Sequence, residues 1–275
     1  MPDFIGKRRL LVKNNPLQPL QSAVIATKRL NIGTYCAICH RRARGDIDLC
    51  RFCIALLKQC THQNRAGVTT CVCPACGQEQ HCTAKSSIES SGHCGCLTCN
   101  SGHRLLHRIV APYRYAFPLS RLIHRFKYHE QRQLARVLAT LLVEEIRRQC
   151  ASDLPQFIVP MPMPVSRMRA RGFNQALDLA HWISKPLNLP VGRDLVTRIE
   201  DTESLAGLSR QARQQRILGA FRASEEVQGK HLAIVDDVFT TGASARELAR
   251  ELYDSGAASV ELWVLARTSN RRSGA

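Results

Sequence analysis

The spacing of apolar residues changes several times along the second half of the chain, and each change marks an element. Leu119, Leu122, Ile123 and Phe126, then Leu134, Val137, Leu138, Leu141 and Ile146, recur mostly at intervals of three and four. That spacing predicts one long amphipathic helix or two abutting ones, with a bend near 127–130. Short apolar runs at 157–160, 232–235 and 260–266 read as buried strands. Helical patterns follow at 175–184, ended by Pro186, and at 245–254, ended by Gly256. Residues 106–118 read as a linker or a first strand, and 195–199 as a short strand. The polar stretch 200–218 holds one helical segment from Ser209 and reads as a mobile loop over a site or an exposed connection. Strands alternating with helices predict an α/β domain with a mainly parallel sheet and helical crossovers.

Composition narrows the class. Of 275 residues 44% are apolar, enough for a core and against global disorder. Lys7, Arg8 and Arg9 are not followed by an apolar run, and 17–32 is broken by Pro19, Gln21 and Lys28, so neither a signal peptide nor a membrane span is expected. A soluble, cytoplasmic protein is the expectation. The formal net charge of +17 points to polyanionic partners such as nucleic acid. Residues 1–110 hold 15 Lys and Arg against 5 Asp and Glu, and residues 111–275 hold 24 against 17. The smaller part thus carries more of the excess, which places a nucleic-acid surface there or at the junction. No GxxxxGK[ST] and no GxGxxG occurs, which disfavours P-loop ATPases and dinucleotide enzymes.

Twelve of the 13 cysteines fall between Cys36 and Cys99. Cys36 and Cys39, then Cys50 and Cys53, form two CxxC knuckles, and a tetrahedral zinc ion takes two thiolates from each. A pair of disulfides would suit a secreted chain instead. Cys73 and Cys76 form a further knuckle, whose partner is Cys96 with Cys99 or Cys94 with Cys96. The x2 spacing favours Cys73, Cys76, Cys96 and Cys99 as a second zinc site. Large apolar residues are few in 60–100, so metal must supply much of the folding energy there.

Residues 231–244, HLAIVDDVFTTGAS, carry the other chemistry. An apolar strand ends on Asp236 and Asp237, and a loop of Thr240, Thr241, Gly242, Ala243 and Ser244 leads into a helix. Ser244 with Glu247 fits a capping box at that helix start. Backbone N–H groups and the helix dipole would hold a phosphate, and the acidic pair would hold sugar hydroxyls. Arg167, Arg169 and Arg171, beside the stiff turn Met161-Pro162-Met163-Pro164, are candidates for pyrophosphate or a nucleic-acid backbone. Arg121, Arg125, Arg132 and Arg136 line one helix face, either solvated or a binding stripe.

The stretch IVDDVFTTGAS resembles the phosphoribosyl pyrophosphate (PRPP) motif of type I phosphoribosyltransferases. The resemblance implies that Asp236 and Asp237 contact ribose hydroxyls and that the segment from Val238 through Thr240 to Ser244 binds the 5′-phosphate. The whole chain is similar to the ComF/GntX family. Paired zinc knuckles are followed by LIHRFKY (122–128), RGFNQ (171–175), LSRQARQQR (208–216) and VDDVFTTG. Leu205 and Arg216 depart from the usual pattern, in which Gln and Asn are expected. The resemblance implies a type I phosphoribosyltransferase-like parallel sheet with flanking helices over 106–270. A small cysteine-rich zinc-ribbon domain at 33–105 precedes it, after an N-terminal extension at 1–32. A knuckle shortly before the LIHRFKY stretch supports Cys96 and Cys99. Implied ligands are two Zn²⁺ and PRPP with Mg²⁺, with Arg167, Arg171, Asn174, Arg210 and Arg213 as candidate pyrophosphate or nucleic-acid contacts. The implied role is handling imported single-stranded DNA in natural transformation or DNA utilisation. Its partners would be competence proteins such as a helicase or uptake channel. The alternative is an active transferase that moves ribose 5-phosphate from PRPP to a nitrogenous acceptor; no catalytic residue is identified for it.

Overall fold

The computed structural model describes residues 35–43, 47–57, 105–129, 131–150, 153–199 and 217–268, with the backbone alone at 62–63, 69–72 and 79–82. The expected N-terminal extension, the second cysteine set (Cys73, Cys76, Cys96 and Cys99), and Arg210 and Arg213 lie outside the described residues, as does the helical segment expected from Ser209.

Two long strands form the centre. β9 (His231–Phe239) and β10 (Ser259–Arg267) pair in parallel along nearly their whole length. Both are buried on both faces, which is why they read as continuous apolar runs and not as alternation. β6 (Phe157–Pro160) adds in parallel beyond β9, while β4 (Arg108–Val110) and β5 (Tyr113–Arg114) add in parallel beyond β10. The order is therefore β4/β5, β10, β9, β6, the parallel sheet that the βα alternation predicts. A parallel bridge from Ile158 to Val191 extends the β6 edge.

Helices cover both faces. On one lie α2 (Leu119–Tyr128), α3 (Leu134–Cys150) and α5 (Gln175–Leu187), packed with Ala233, Val235, Trp263 and Leu265 of the sheet. On the other lies α6 (Ala243–Asp254), packed with Leu232, Ile234, Leu262 and Val264. Here too sits a two-stranded antiparallel ribbon of β7 (Val196–Arg198) and β8 (Phe221–Ala223). Leu119, Leu122, Ile123 and Phe126 of α2 are all buried, and each such side chain contributes about 1.5–3 kcal/mol by leaving water. α2 and α3 are two helices, parted after Tyr128 as the spacing allowed.

Four local readings change. Residues 165–171, left without an element in the sequence, form the short helix α4 (Val165–Arg171), bracketed by Pro164 and by Gly172 in the left-handed region at φ 74°. α5 runs past Pro186 and closes on Asn188, also left-handed at φ 53°. Pro186 removes one i→i−4 hydrogen bond from the last turn, and only Leu187 follows it before the cap. β9 continues past the acidic pair to Phe239, because Val238 and Phe239 still pair with Ala266 and Arg267 of β10. Three of the four arginines of the stripe are engaged: Arg125 donates to the Ala37 carbonyl and to Gln131, Arg132 forks onto Asp178, and Arg136 pairs with Asp48, while Arg121 is exposed.

The cysteine-rich region begins with α1 (Arg51–Ala55), whose neighbours Cys36, Leu49, Cys53 and Leu57 belong to the same core cluster as α2 and α3. Beyond it, β1 (His62–Gln63), β2 (Thr69–Val72) and β3 (Glu79–Cys82) form a three-stranded antiparallel sheet. At the N-terminal end of β10, Glu261 is fully buried. It accepts from Trp263 Nε1 at 2.9 Å and meets His231 Nε2 at 3.1 Å and Arg108 Nε at 3.6 Å. Among the described residues no helix is long and apolar enough to cross a membrane.

Candidate functional site

The C-terminal end of β9 delivers two carboxylates in succession, and strand geometry sends successive side chains to opposite faces. Asp237 turns toward the α2 face, where it is 2% exposed and its Oδ2 lies 2.7 Å from Lys127 Nζ. That contact is a charge pairing, since Oδ2 receives no aligned hydrogen bond. Asp236 lies on the α6 side and lines a cavity of about 450 Å³. Its Oδ1 accepts the backbone N–H of Asp237 at 2.8 Å. Burial and the neighbouring Asp237 push the Asp236 carboxyl up to about 7, against the opposing pull of Lys127. Burial, the largest single influence, would lower the Lys127 ammonium, but the charge and hydrogen bonding of Asp237 together with the charge of Asp236 raise it overall.

After β9 the chain turns through Thr240, Thr241 and Gly242 into α6. Gly242 is the N-cap at φ 74°, and a β-carbon there would lie 2.4 Å from Phe239 Cζ. Both the backbone angle and the space call for glycine. Thr241 Oγ1 accepts from the Ala243 N–H at 3.4 Å, and Arg246 Nη2 donates to the Thr241 carbonyl at 2.6 Å. The capping box expected at Ser244 and Glu247 does not form, because the helix starts earlier, at Ala243. Glu247 instead accepts the Gly219 N–H at 2.7 Å and pairs with Arg250.

The loop and the first turn of α6 form one wall of the cavity; Lys127, Tyr128, Arg167 and Arg171 also line it. Among the described residues, three cationic side chains thus share it with a single carboxylate, Asp236, beside the positive end of a helix, an arrangement that favours a bound anion. Arg171 is held by its guanidinium over the Tyr128 ring, 4.8 Å from the centroid, and by hydrogen bonds to Tyr128 Oη and Gln175 Oε1 at 3.1 Å each.

The structure gathers Asp236, Val238, Thr240, Thr241, Gly242, Ala243, Ser244, Arg167 and Arg171 around this cavity. Asp237 stands behind them on Lys127. Asn174 is used elsewhere: its Oδ1 caps α5 by accepting from Ala176 and Leu177, and its Nδ2 donates to the Met161 carbonyl. Lys127 and Tyr128 were missed as site residues, although Lys127 flanks the apolar stripe of α2 near the helix end. A divalent ion held by the acidic pair itself does not fit this arrangement, because Asp237 is buried and already neutralised.

The Sγ atoms of Cys36, Cys39, Cys50 and Cys53 all lie within 4.8 Å of one another, and those of Cys39 and Cys50 are 3.6 Å apart. A tetrahedral ion with Zn–S bonds of about 2.3 Å separates its sulfurs by roughly 3.8 Å, so the four thiols fit zinc. Cys50 caps α1, its sulfur accepting the Cys53 N–H at 3.4 Å. Burial opposes ionisation of Cys36, yet backbone N–H groups of Cys50, Cys39 and Ile38 bring its thiol down to about 6. Burial and the three neighbouring thiols push Cys53 up. A zinc ion here would tie the two knuckles together and contribute folding energy.

No protein-family model matches the chain. Similarity to solved structures is weak. The glutamine PRPP amidotransferase from B. subtilis aligns at 15% identity and TM-score 0.36 over 51% of this chain and 30% of that one. The purine phosphoribosyltransferase from Pyrococcus horikoshii aligns at 20% and 0.30 over 47% and 70%. Sequence relatives are much nearer. The DNA utilization protein YhgH of Escherichia coli K12 is 35% identical over 228 residues, 80% of this chain and 96% of the relative. Competence protein F of Haemophilus influenzae is 34% identical over 70% of this chain and 85% of the relative. Competence protein ComFC of Bacillus subtilis is 25% identical over 82% and 86%. With identity above three in ten across nearly the whole of its relatives, the chain belongs to the ComF/GntX family of DNA utilization and competence proteins.

Proposed function

We propose that this protein handles imported single-stranded DNA in natural transformation or DNA utilisation, and that its cavity takes PRPP or a related phosphoribosyl ligand. The observation that carries the reading is the cavity itself: a loop at the N-terminus of α6 and, among the described residues, one carboxylate and three cations around a single space. In this reading the 5′-phosphate sits on the backbone of the loop formed by Thr240, Thr241, Gly242, Ala243 and Ser244. Asp236 accepts hydrogen bonds from ribose hydroxyls, and Asp237 sets the charge beneath it. Arg167 and Arg171 meet the pyrophosphate, with Mg²⁺ brought in by the pyrophosphate oxygens. The names of the relatives, a net charge of +17 and the zinc-fitting knuckles support the DNA role. The zinc-ribbon region at 33–105, with a second ion on Cys73, Cys76, Cys96 and Cys99, would then add a basic surface to the phosphoribosyltransferase-like domain at 106–270.

The test is calorimetry with PRPP and Mg²⁺ on the purified protein, set beside single-strand binding measured across a salt series. Binding of PRPP that is lost in Arg171→Ala is expected. Single-strand affinity should fall by more than about tenfold between roughly 50 and 200 mM salt. Salt-independent affinity, or none, would remove the DNA role. Release of pyrophosphate in the presence of a panel of bases would identify a transferase.

A further inference from the structure

We propose that Lys127 is the resident counter-cation of the acidic pair, and that it fits this pocket to take a ribose 5-phosphate group without a divalent ion. The inference rests on the phosphoribosyl reading above and deepens it, by naming the half of the ligand that the protein binds unaided.

Two adjacent carboxylates at the end of a buried strand need a compensating charge, and sites of this kind commonly recruit it as a metal ion. Here the charge is covalently built in. Lys127 Nζ lies 2.7 Å from Asp237 Oδ2, with the lysine side chain 19% exposed and the carboxylate 3%. The lysine is held there by its helix. Ile123 and Phe126 beside it are fully buried, and Arg125 anchors the same turn by donating to the Ala37 carbonyl at 2.6 Å. No rearrangement is needed for the ammonium to reach the pair, and no ion need be bound before the ligand.

The ligand class follows from what is left in the cavity. Once Asp237 is neutralised, Asp236 is the one carboxylate among the described residues that lines the space, enough for sugar hydroxyls. The backbone of the loop at 240–244 and the positive end of α6 hold a phosphate monoester, which leaves Arg167 and Arg171 for the pyrophosphate half. A ribose carrying one phosphate therefore finds its partners in the protein. A pyrophosphate adds charge beyond these groups, and that half is where Mg²⁺ belongs.

The experiment is titration with ribose 5-phosphate, with EDTA and again with millimolar Mg²⁺, for the wild type, Lys127→Met and Lys127→Arg. The wild type is expected to bind equally in both, within about twofold, whereas Lys127→Met loses about tenfold or more in EDTA and regains it with Mg²⁺. Lys127→Arg should behave as wild type. Thermal melts of the ligand-free proteins give a readout independent of affinity: Mg²⁺ should raise the midpoint of Lys127→Met and leave the wild type unmoved. A wild type that binds only with Mg²⁺, or a Lys127→Met protein equally weak in both conditions, overturns the inference while leaving the phosphoribosyl reading intact. Failure of the wild type to bind under any condition overturns both.

Discussion

Arg125 Nη1 donates to the backbone carbonyl of Ala37 at 2.6 Å, joining the first cysteine knuckle to α2. Two residues further along the same helix, Lys127 meets Asp237 in the phosphate pocket. One ten-residue helix therefore touches both the zinc-fitting cluster and the acidic pair. Arg125→Met should keep its metal, since it removes no thiol, yet lose about 1.5–3 kcal/mol of stability with that charged hydrogen bond. Metal content and a denaturant titration, measured on the same sample, check both halves.

Cys53→Ser should release one equivalent of zinc. Cys53 is buried in the same core as α2 and α3, so the loss extends beyond the knuckle. A drop of roughly ten degrees in the melting midpoint is expected for a loss of about 3 kcal/mol. Metal analysis beside calorimetry of the full chain tests it; full zinc content in the variant would refute the ligand set.

The Asp236 carboxyl, lifted to about 7, fixes the sign of one pH dependence. The folded protein binds this proton more tightly than the unfolded chain does, whose ordinary value is 3.8. The resulting stability is complete below the unfolded value and is lost as pH rises toward and through about 7. Asp236→Asn should therefore flatten the dependence of the midpoint between about pH 4 and 7 relative to wild type. An unchanged slope would show that another group governs that window.

Gly242→Ala should be costly for two reasons at one position. The left-handed φ of 74° is disfavoured for a residue with a β-carbon, and that carbon would sit 2.4 Å from the Phe239 ring. A loss of about 2 kcal/mol or more is expected, together with weaker phosphate binding, because the loop must open to relieve the clash. Denaturant titration and phosphate binding measured on one preparation test it.

At the far end of the sheet, Glu261 pairs with Arg108 and meets His231 Nε2 from a fully buried position. Glu261→Ala should cost about 3 kcal/mol, and Glu261→Gln less, since an amide still accepts from Trp263. Equal losses in the two variants would mean that charge, and not packing or the Trp263 hydrogen bond, dominates there.

The strands and the acidic pair could be read from sequence because their signals are local. The residues 232–235 are apolar on both faces of β9, and only a central parallel strand needs that. α4 gave no such signal: none of its residues is buried, so VSRMRAR shows no apolar period. The capping box at Ser244 and Glu247 matched a local rule, but an earlier helix start at Gly242 took precedence, and Glu247 was drawn to Gly219 on a different segment. Lys127, Arg125 and Arg136 stood out only as charges on a helix. What defines each is a partner on another element, Asp237, Ala37 and Asp48, and such pairings arise from the tertiary fold.

α4 itself, with Pro164 before it, Gly172 after it and no residue in the core, has a mechanical meaning. The wall of the pocket formed by β9 and α6 is fixed by the packing of the whole sheet. The wall bearing Arg167 and Arg171 is fastened chiefly by its ends and by the contacts of Arg171 with Tyr128 and Gln175. A segment so tethered can shift without opening a cavity in the core, and its local unfolding costs little. The pocket thus has one rigid jaw and one compliant jaw, and the compliant one carries the positive charge that a phosphate would pull inward.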